Sequence, residues 1–179
     1  MRKIPTIFVR DLSKQPALVI PEWVPGCEWV RDGEGVPTRK WDGTSVMIRA
    51  GKMYKRRELR DGEPAPAYFE RVGTDDNTGK TVGWVPVGDG PDDKYHREAN
   101  CTNPPDGTYE LVGPKINGNR DKFPDHRLVE HGDAELAYVP RQFDSLKAWL
   151  ETQNIEGVVW HHPDGRMAKI KRRDFGLKW

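Results

Sequence analysis

In "TRKWDGTSVMIRA" (residues 38–50), Lys40 stands two residues before an Asp-Gly turn signal and just ahead of an alternating apolar run. A lysine held at the mouth of a strand can serve as a nucleophile once its amine is deprotonated. Burial and neighbouring cations favour that form. A second group of chemistry-bearing residues lies near the C-terminus. In "EGVVW", Glu156, Val158 and Trp160 are expected on one strand face. In "KIK", Lys169 and Lys171 share a face and Ile170 takes the other. Two ammonium groups at that spacing repel each other, and a phosphate between them turns the repulsion into attraction. A single carboxylate such as Glu156 suits Mg²⁺, which keeps several waters and borrows phosphate oxygens. The carboxylate and the two ammonium groups could then line one cleft. Taken alone, each residue reads equally well as a surface charge. Lys40 beside Asp42, for instance, could be an ion pair worth at most about 1 kcal/mol.

These side chains need strands to hold them. "TSVMIRA" (44–50) alternates as a strand, with Gly51-Lys52 as the turn and "MYKRR" returning as its hairpin partner. "TYELVGPKI" (108–116) and "HRLVEHG" (126–132) also read as strands. "IEGVVWHHPDGRMAKIKRR" reads as two strands joined at "PDG", which would set Glu156 beside the two lysines. "FDSLKAWLETQN" (143–154) is the best helix, with Asp144 as N-cap and Phe143, Leu146, Trp149 and Leu150 on one stripe. Short strands and turns are expected over residues 1–36. The stretch 61–107 holds 7 Gly and 6 Pro, and only "TVGWVPV" in it looks like a strand. It reads as a loop-rich insertion, a lid or a substrate-contacting excursion. With strands outnumbering helices, the class is α+β around an antiparallel core.

The 179 residues suffice for one domain with a real core. Seven Trp argue against disorder, because they need somewhere to pack. The net charge of +1 gives no global signal for nucleic acid, although "KMYKRRELR" and "KIKRRDFGLKW" are locally basic. Cys27 and Cys101 permit one disulfide and lack the spacing of a cysteine zinc site. "GTDDNTGKT" (73–81) misses P-loop spacing, with five residues between its glycines, and reads as a surface turn. Adjacent His161 and His162 would face opposite ways on a strand, which disfavours a shared metal. No G-x-S-x-G elbow is present for a serine hydrolase. No long apolar run marks a signal peptide or a membrane span, so a cytoplasmic protein without membrane association is expected.

Taken in order, "KWDGTS", "YKRRE", "TYELVGPKI", "EGVV" and "KIK" resemble motifs I, Ia, III, IV and V of the covalent nucleotidyltransferases. That superfamily holds the ATP-dependent RNA and DNA ligases and the mRNA capping enzymes. Thr44-Ser45, in place of the arginine that commonly closes motif I, is nearer the RNA ligases. "YELVGPKINGN" followed by "HRLVEHG" is similar to small RNA ligases that join 5′-phosphate to 3′-hydroxyl ends. The resemblance implies a single minimal adenylation domain over residues 1–179, an ATP-grasp-like nucleotidyltransferase fold with antiparallel sheets around a nucleotide cleft and flanking helices. The chain ends eight residues after Lys171, so no separate C-terminal domain is expected.

The resemblance also implies roles. Lys40 would take AMP from ATP as lysyl-AMP, and Lys169 and Lys171 would hold the α-phosphate and offset charge in the transition state. Glu110 would bond the ribose, and Arg56 or Arg57 would contact ribose or phosphate. Glu156 would organise Mg²⁺ or Mn²⁺. Arg39 and Asp42, flanking Lys40, join the nucleotide-binding set, and His126 or Leu128 would replace the aromatic residue that stacks adenine in many relatives. The implied partners are ATP and RNA with 5′-phosphate and 3′-hydroxyl ends, in RNA repair by a monomer. Two other readings stand beside this one: a nucleotidyltransferase acting on DNA nicks or another acceptor, and a non-catalytic RNA-binding module that stacks bases on exposed Trp residues.

Overall fold

The computed structural model describes residues 3–75, 78–99 and 103–179. Cys101, which a disulfide would need, lies outside the described residues, as do Asp76 and Asn77 of the 73–81 turn; Cys27 is buried. Among the described residues there are eleven strands and three short α-helices, and the named strands pair antiparallel throughout. The class is therefore α+β, as expected. No helix among the described residues is long and apolar enough to cross a membrane.

The chain forms two compact units, Asp42–His131 with Lys3, and Ile4–Trp41 with Gly132–Trp179. The second of these contains β1 (Phe8–Arg10), β2 (Val19–Trp23), α1 (Glu28–Arg31) and β3 (Val36–Lys40). After the other unit come α3 (Phe143–Thr152), β10 (Gly157–His161) and β11 (Met167–Lys171). Strands β11, β10 and β3 lie side by side in that order. Val158 pairs with Ile170 and Trp160 with Ala168, and all four are buried in one cluster with Ile7, Phe8 and Val30. The stripe of α3 packs on the same core: Leu146 and Leu150 are buried, with Phe143 and Trp149 at its margin. The "PDG" hairpin of the sequence reading is present.

The helix start differs from expectation. Gln142, extended and without a side-chain bond, is the N-cap, and Asp144 sits inside the first turn. There its charge still complements the helix dipole. At the other end, the Arg172 guanidinium donates to the carbonyl oxygens of Leu150 and of Gln153, the latter at 2.6 Å. Those are the acceptors that a helix C-terminus leaves unpaired.

The other unit holds β4 (Thr44–Arg49), β5 (Lys52–Leu59), β6 (Glu70–Thr74), β7 (Thr81–Pro86), α2 (Lys94–Ala99), β8 (Gly107–Val112) and β9 (Arg127–Glu130). Its six strands, counted among the described residues, run β6-β7-β5-β4-β8-β9. The β4–β5 hairpin turns at Ala50-Gly51, one residue before the expected place. Both residues have positive φ, 50° and 70°, as a two-residue turn between twisted strands requires. The 61–107 stretch is more ordered than its composition suggests. It supplies β7, edge strand β6 and α2. Strand β6 escaped the sequence reading because it lies at an edge, carries few apolar residues and has a register irregularity between Arg71 and Gly73.

Gly157 pairs with both Lys40 and Lys171, and a Cβ there would fall 2.1 Å from the Ile170 carbonyl oxygen. Only glycine lets the strands close at this point. Gly157→Ala is expected to destabilise the protein by about 1–3 kcal/mol through overpacking against backbone. A lowered denaturation midpoint in chemical unfolding checks this.

Candidate active site

Lys40 is the last residue of β3, and Lys171 the last of β11. Each pairs with Gly157, from opposite sides of the middle strand β10. Lys169 pairs with Val159, and Val159 with Thr38. By strand alternation the three lysines share one side of the sheet, and the apolar set of Val158, Trp160, Ala168 and Ile170 takes the other. The lysines are thus brought together on one face by pairing register.

Glu156 corrects the sequence reading. Alternation put it on the face of Val158 and Trp160, which is the buried apolar face. It precedes the strand, however, and its side chain reaches the lysine side. There the Lys40 amine donates to Glu156 Oε2 at 2.6 Å, and the Lys171 amine lies 2.6 Å from Oε1. All three side chains are mostly buried, at 17%, 8% and 13% exposure for Lys40, Glu156 and Lys171. The Arg172 N–H holds the Glu156 carbonyl at 2.9 Å, which fixes the backbone at this bend.

No hydrogen bond or ion pair to the Lys169 amine is found among the described residues. Burial, followed by the charges of Lys171 and Lys40, pulls its pKa down to about 8. Asp174 and Glu156 oppose that shift. Burial and Lys40 also lower Lys171, against the pull of Glu156. Three amines facing one carboxylate make a site short of negative charge, so a phosphate group would complete it. Asp174, 1% exposed, supports the end of β11: its carboxylate accepts from the Lys171 N–H at 2.9 Å and from Arg10 at 2.6 Å. Neither Asp174 nor Arg172 stood out in the sequence, because both look like further members of a basic tail.

As a metal ligand, Glu156 would set a divalent cation directly beside two ammonium groups, one already on each of its oxygens. Among the described residues, no group of three or more His, Cys, Asp or Glu is placed to hold an ion. A resident divalent cation does not fit this arrangement, in which a lone carboxylate is already bridged by two positive charges.

The remaining expected residues lie as follows. Arg39 points to the other side of β3 from Lys40, its guanidinium stacked 4.2 Å over the Trp41 ring and bonded to the Asn154 carbonyl at 3.1 Å. Asp42, in the six-stranded unit, accepts from Asn117 at 3.1 Å and from Arg120 at 3.3 Å. In that same unit Glu110 lies opposite Ser45, 7% exposed, and accepts from the Gly43 N–H (3.2 Å) and the Ser45 hydroxyl (3.3 Å). His131 Nε2 is 2.9 Å from Glu110 Oε2. A Cβ on Gly43 would strike the Leu111 carbonyl at 2.2 Å, so the motif glycine is required for this close approach.

Alternation also separates the two arginines of "YKRRE". Burial lowers the pKa of Arg56, and the charges of Glu58 and then Glu110 partly offset it. Arg57 points the other way and pairs with Glu63 at 2.7 Å. His126 precedes β9; its ring stacks on Tyr95 at 4.4 Å and bonds Glu98 at 2.8 Å. Leu128 packs on the cluster of Val46, Ile48 and Leu111.

The chain resembles the RNA ligases. A family model described as RNA ligase 1 matches residues 100–179, the part that carries Glu110, Glu156, Lys169 and Lys171. The protein named RNA ligase 1 of Mus musculus is 30% identical over 161 residues, covering 70% of this chain and 46% of that protein. The proteins of the same name from Danio rerio and Pongo abelii are 38% and 40% identical over 81 residues, in each case 40% of this chain and 25% of the relative. The chain thus spans less than half the length of these relatives in the matched regions.

The lowered pKa of Lys169 has a consequence for stability. Its amine binds a proton less tightly in the folded chain, near 8, than at its ordinary value of 10.5. Between those pH values the unfolded chain holds more protons, so stability rises with pH across that window. Lys169→Met is expected to flatten this rise. Thermal midpoints of both proteins, measured from pH 7 upward, check the difference.

Proposed function

We propose that this chain is an ATP-dependent RNA ligase, a nucleotidyltransferase in which Lys40 carries AMP. The observation that carries the reading is the trio of Lys40, Lys169 and Lys171 around the single carboxylate of Glu156. The similarity to proteins named RNA ligase 1 supports it and favours RNA as acceptor.

In the first step the neutral Lys40 amine attacks the α-phosphorus of ATP. A P–N bond forms, the bond to the β-phosphate oxygen breaks, pyrophosphate leaves and the amine sheds a proton to solvent. Lys169 and Lys171 face the developing phosphoryl charge from β11, across the middle strand β10, where preorganised cations are most effective. Lys171 can change partner from Glu156 to phosphate without leaving the sheet face. Next, an oxygen of an RNA 5′-phosphate attacks the adenylate phosphorus and the P–N bond breaks, restoring Lys40. A 3′-hydroxyl then attacks the 5′-phosphorus, forming the phosphodiester and releasing AMP. The Mg²⁺ or Mn²⁺ that such chemistry uses would arrive with the nucleotide phosphates, as one-carboxylate magnesium sites commonly arrange. Positioning and charge supply the catalysis, as in phosphoryl transfer generally. Within the six-stranded unit, the reading gives Glu110 and Arg56 nucleotide contacts.

Incubation with α-labelled ATP and Mg²⁺, followed by a denaturing gel, tests this. Label should remain attached to the protein and be lost in Lys40→Ala. A 5′-phosphorylated RNA should then be joined in preference to DNA of the same sequence. Absence of label in the unaltered protein would end the covalent reading in favour of an RNA-binding module, and preference for DNA would change the acceptor.

A further inference from the structure

Strand β9 runs beside β8, with Glu110 opposite Val129. His131 lies two residues beyond Val129, so it is the diagonal neighbour of Glu110 on the same sheet face. Its backbone N–H bonds the Thr108 carbonyl at 3.1 Å, which carries the ladder one step past the strand end and anchors the residue. From there Nε2 reaches Glu110 Oε2 at 2.9 Å.

An ionised carboxylate only accepts, and its two oxygens offer about four lone-pair positions. Around Glu110, Ser45 and His131 both address Oε2, and the Gly43 N–H addresses Oε1. One position remains, on Oε1. It has room in its bonding for a single donor, such as one hydroxyl group. His131 Nε2 must carry a hydrogen to bond this carboxylate. Its Nδ1 is buried without a hydrogen-bond partner among the described residues. The arrangement therefore places a hydrogen on Nε2.

We propose that His131 is a positioning residue: its Nε2–H locks the Glu110 carboxylate and leaves Oε1 to accept one hydroxyl of the nucleotide ribose. This rests on the ligase reading for the identity of the nucleotide. His131 does not touch the reacting atoms. It acts through Glu110, and so on nucleotide affinity rather than on bond making.

The test compares His131→Phe, which keeps ring volume and removes the donor, with His131→Gln, which restores an N–H donor. The readout is lysyl-AMP formation over a range of ATP concentrations. His131→Phe should raise the half-saturating ATP concentration about tenfold, the size of one hydrogen bond to a charged group, with the maximal rate little changed. His131→Gln should recover most of that loss. An unchanged half-saturation in a folded His131→Phe protein, or a His131→Gln protein as impaired as His131→Phe, would overturn the proposal. Nitrogen chemical shifts of the His131 ring in the unaltered protein give a reading independent of activity. Hydrogen on Nε2 is expected, and a bare Nε2 would overturn the lock even if the protein proves not to be a ligase. Failure of the unaltered protein to form lysyl-AMP, with hydrogen present on Nε2, would sink the ligase reading and the nucleotide role while leaving the carboxylate lock in place.

Discussion

The bridge from Lys40 through Glu156 to Lys171 is the contact on which the candidate site depends. It joins the ends of the two outer strands of the three-stranded sheet across the middle one. Three ammonium groups on one sheet face would otherwise repel, and removing a partner from a buried ion pair is costly. Much of the local architecture maintains this bridge. Gly157 lets the strands approach, Arg172 holds the Glu156 carbonyl and the end of α3, and Asp174 fixes the end of β11.

The same bridge sets the chemistry. One carboxylate offsets one of the three lysines, and the excess is what a phosphate would meet. Lys169 has no ion partner among the described residues; burial first, and then the field of Lys171 and Lys40, accounts for its lowered pKa. Glu110 illustrates a different solution for a buried charge. It is held by hydrogen-bond donors, from Gly43, Ser45 and His131, with no lysine or arginine salt bridge among the described residues.

Much of this was legible in the sequence. The alternation of "KIK" and the "PDG" turn were sufficient to put Lys169 and Lys171 on one face of a hairpin strand, because period-2 geometry is local; Lys40 was expected just ahead of the strand at 44–50, and instead it ends β3, a strand the sequence reading did not name. The same rule misplaced Glu156. Its backbone leaves the strand at the bend before Gly157, and nothing in "IEGVV" announces that. The split between Arg56 and Arg57 was implicit in alternation but needed the register of β5 to resolve. His131 was invisible as a partner of Glu110, since the two lie 21 residues apart and meet only through the pairing of β8 with β9. The jobs of Arg172 and Asp174 depend on α3 and β1, which only tertiary packing brings near. Edge strand β6 was missed for a related reason: with one side exposed, it carries too weak an apolar pattern to stand out among glycines and prolines.

Three lysines share the face, and burial brings the pKa of Lys169 down to about 8, so which one forms the bond to phosphorus is the sharpest question. Peptide mapping by mass spectrometry after incubation with ATP and Mg²⁺ answers it directly. The expected result is a single AMP adduct on the peptide carrying Lys40. An adduct on Lys169 or Lys171, with Lys40 unmodified, would contradict the account.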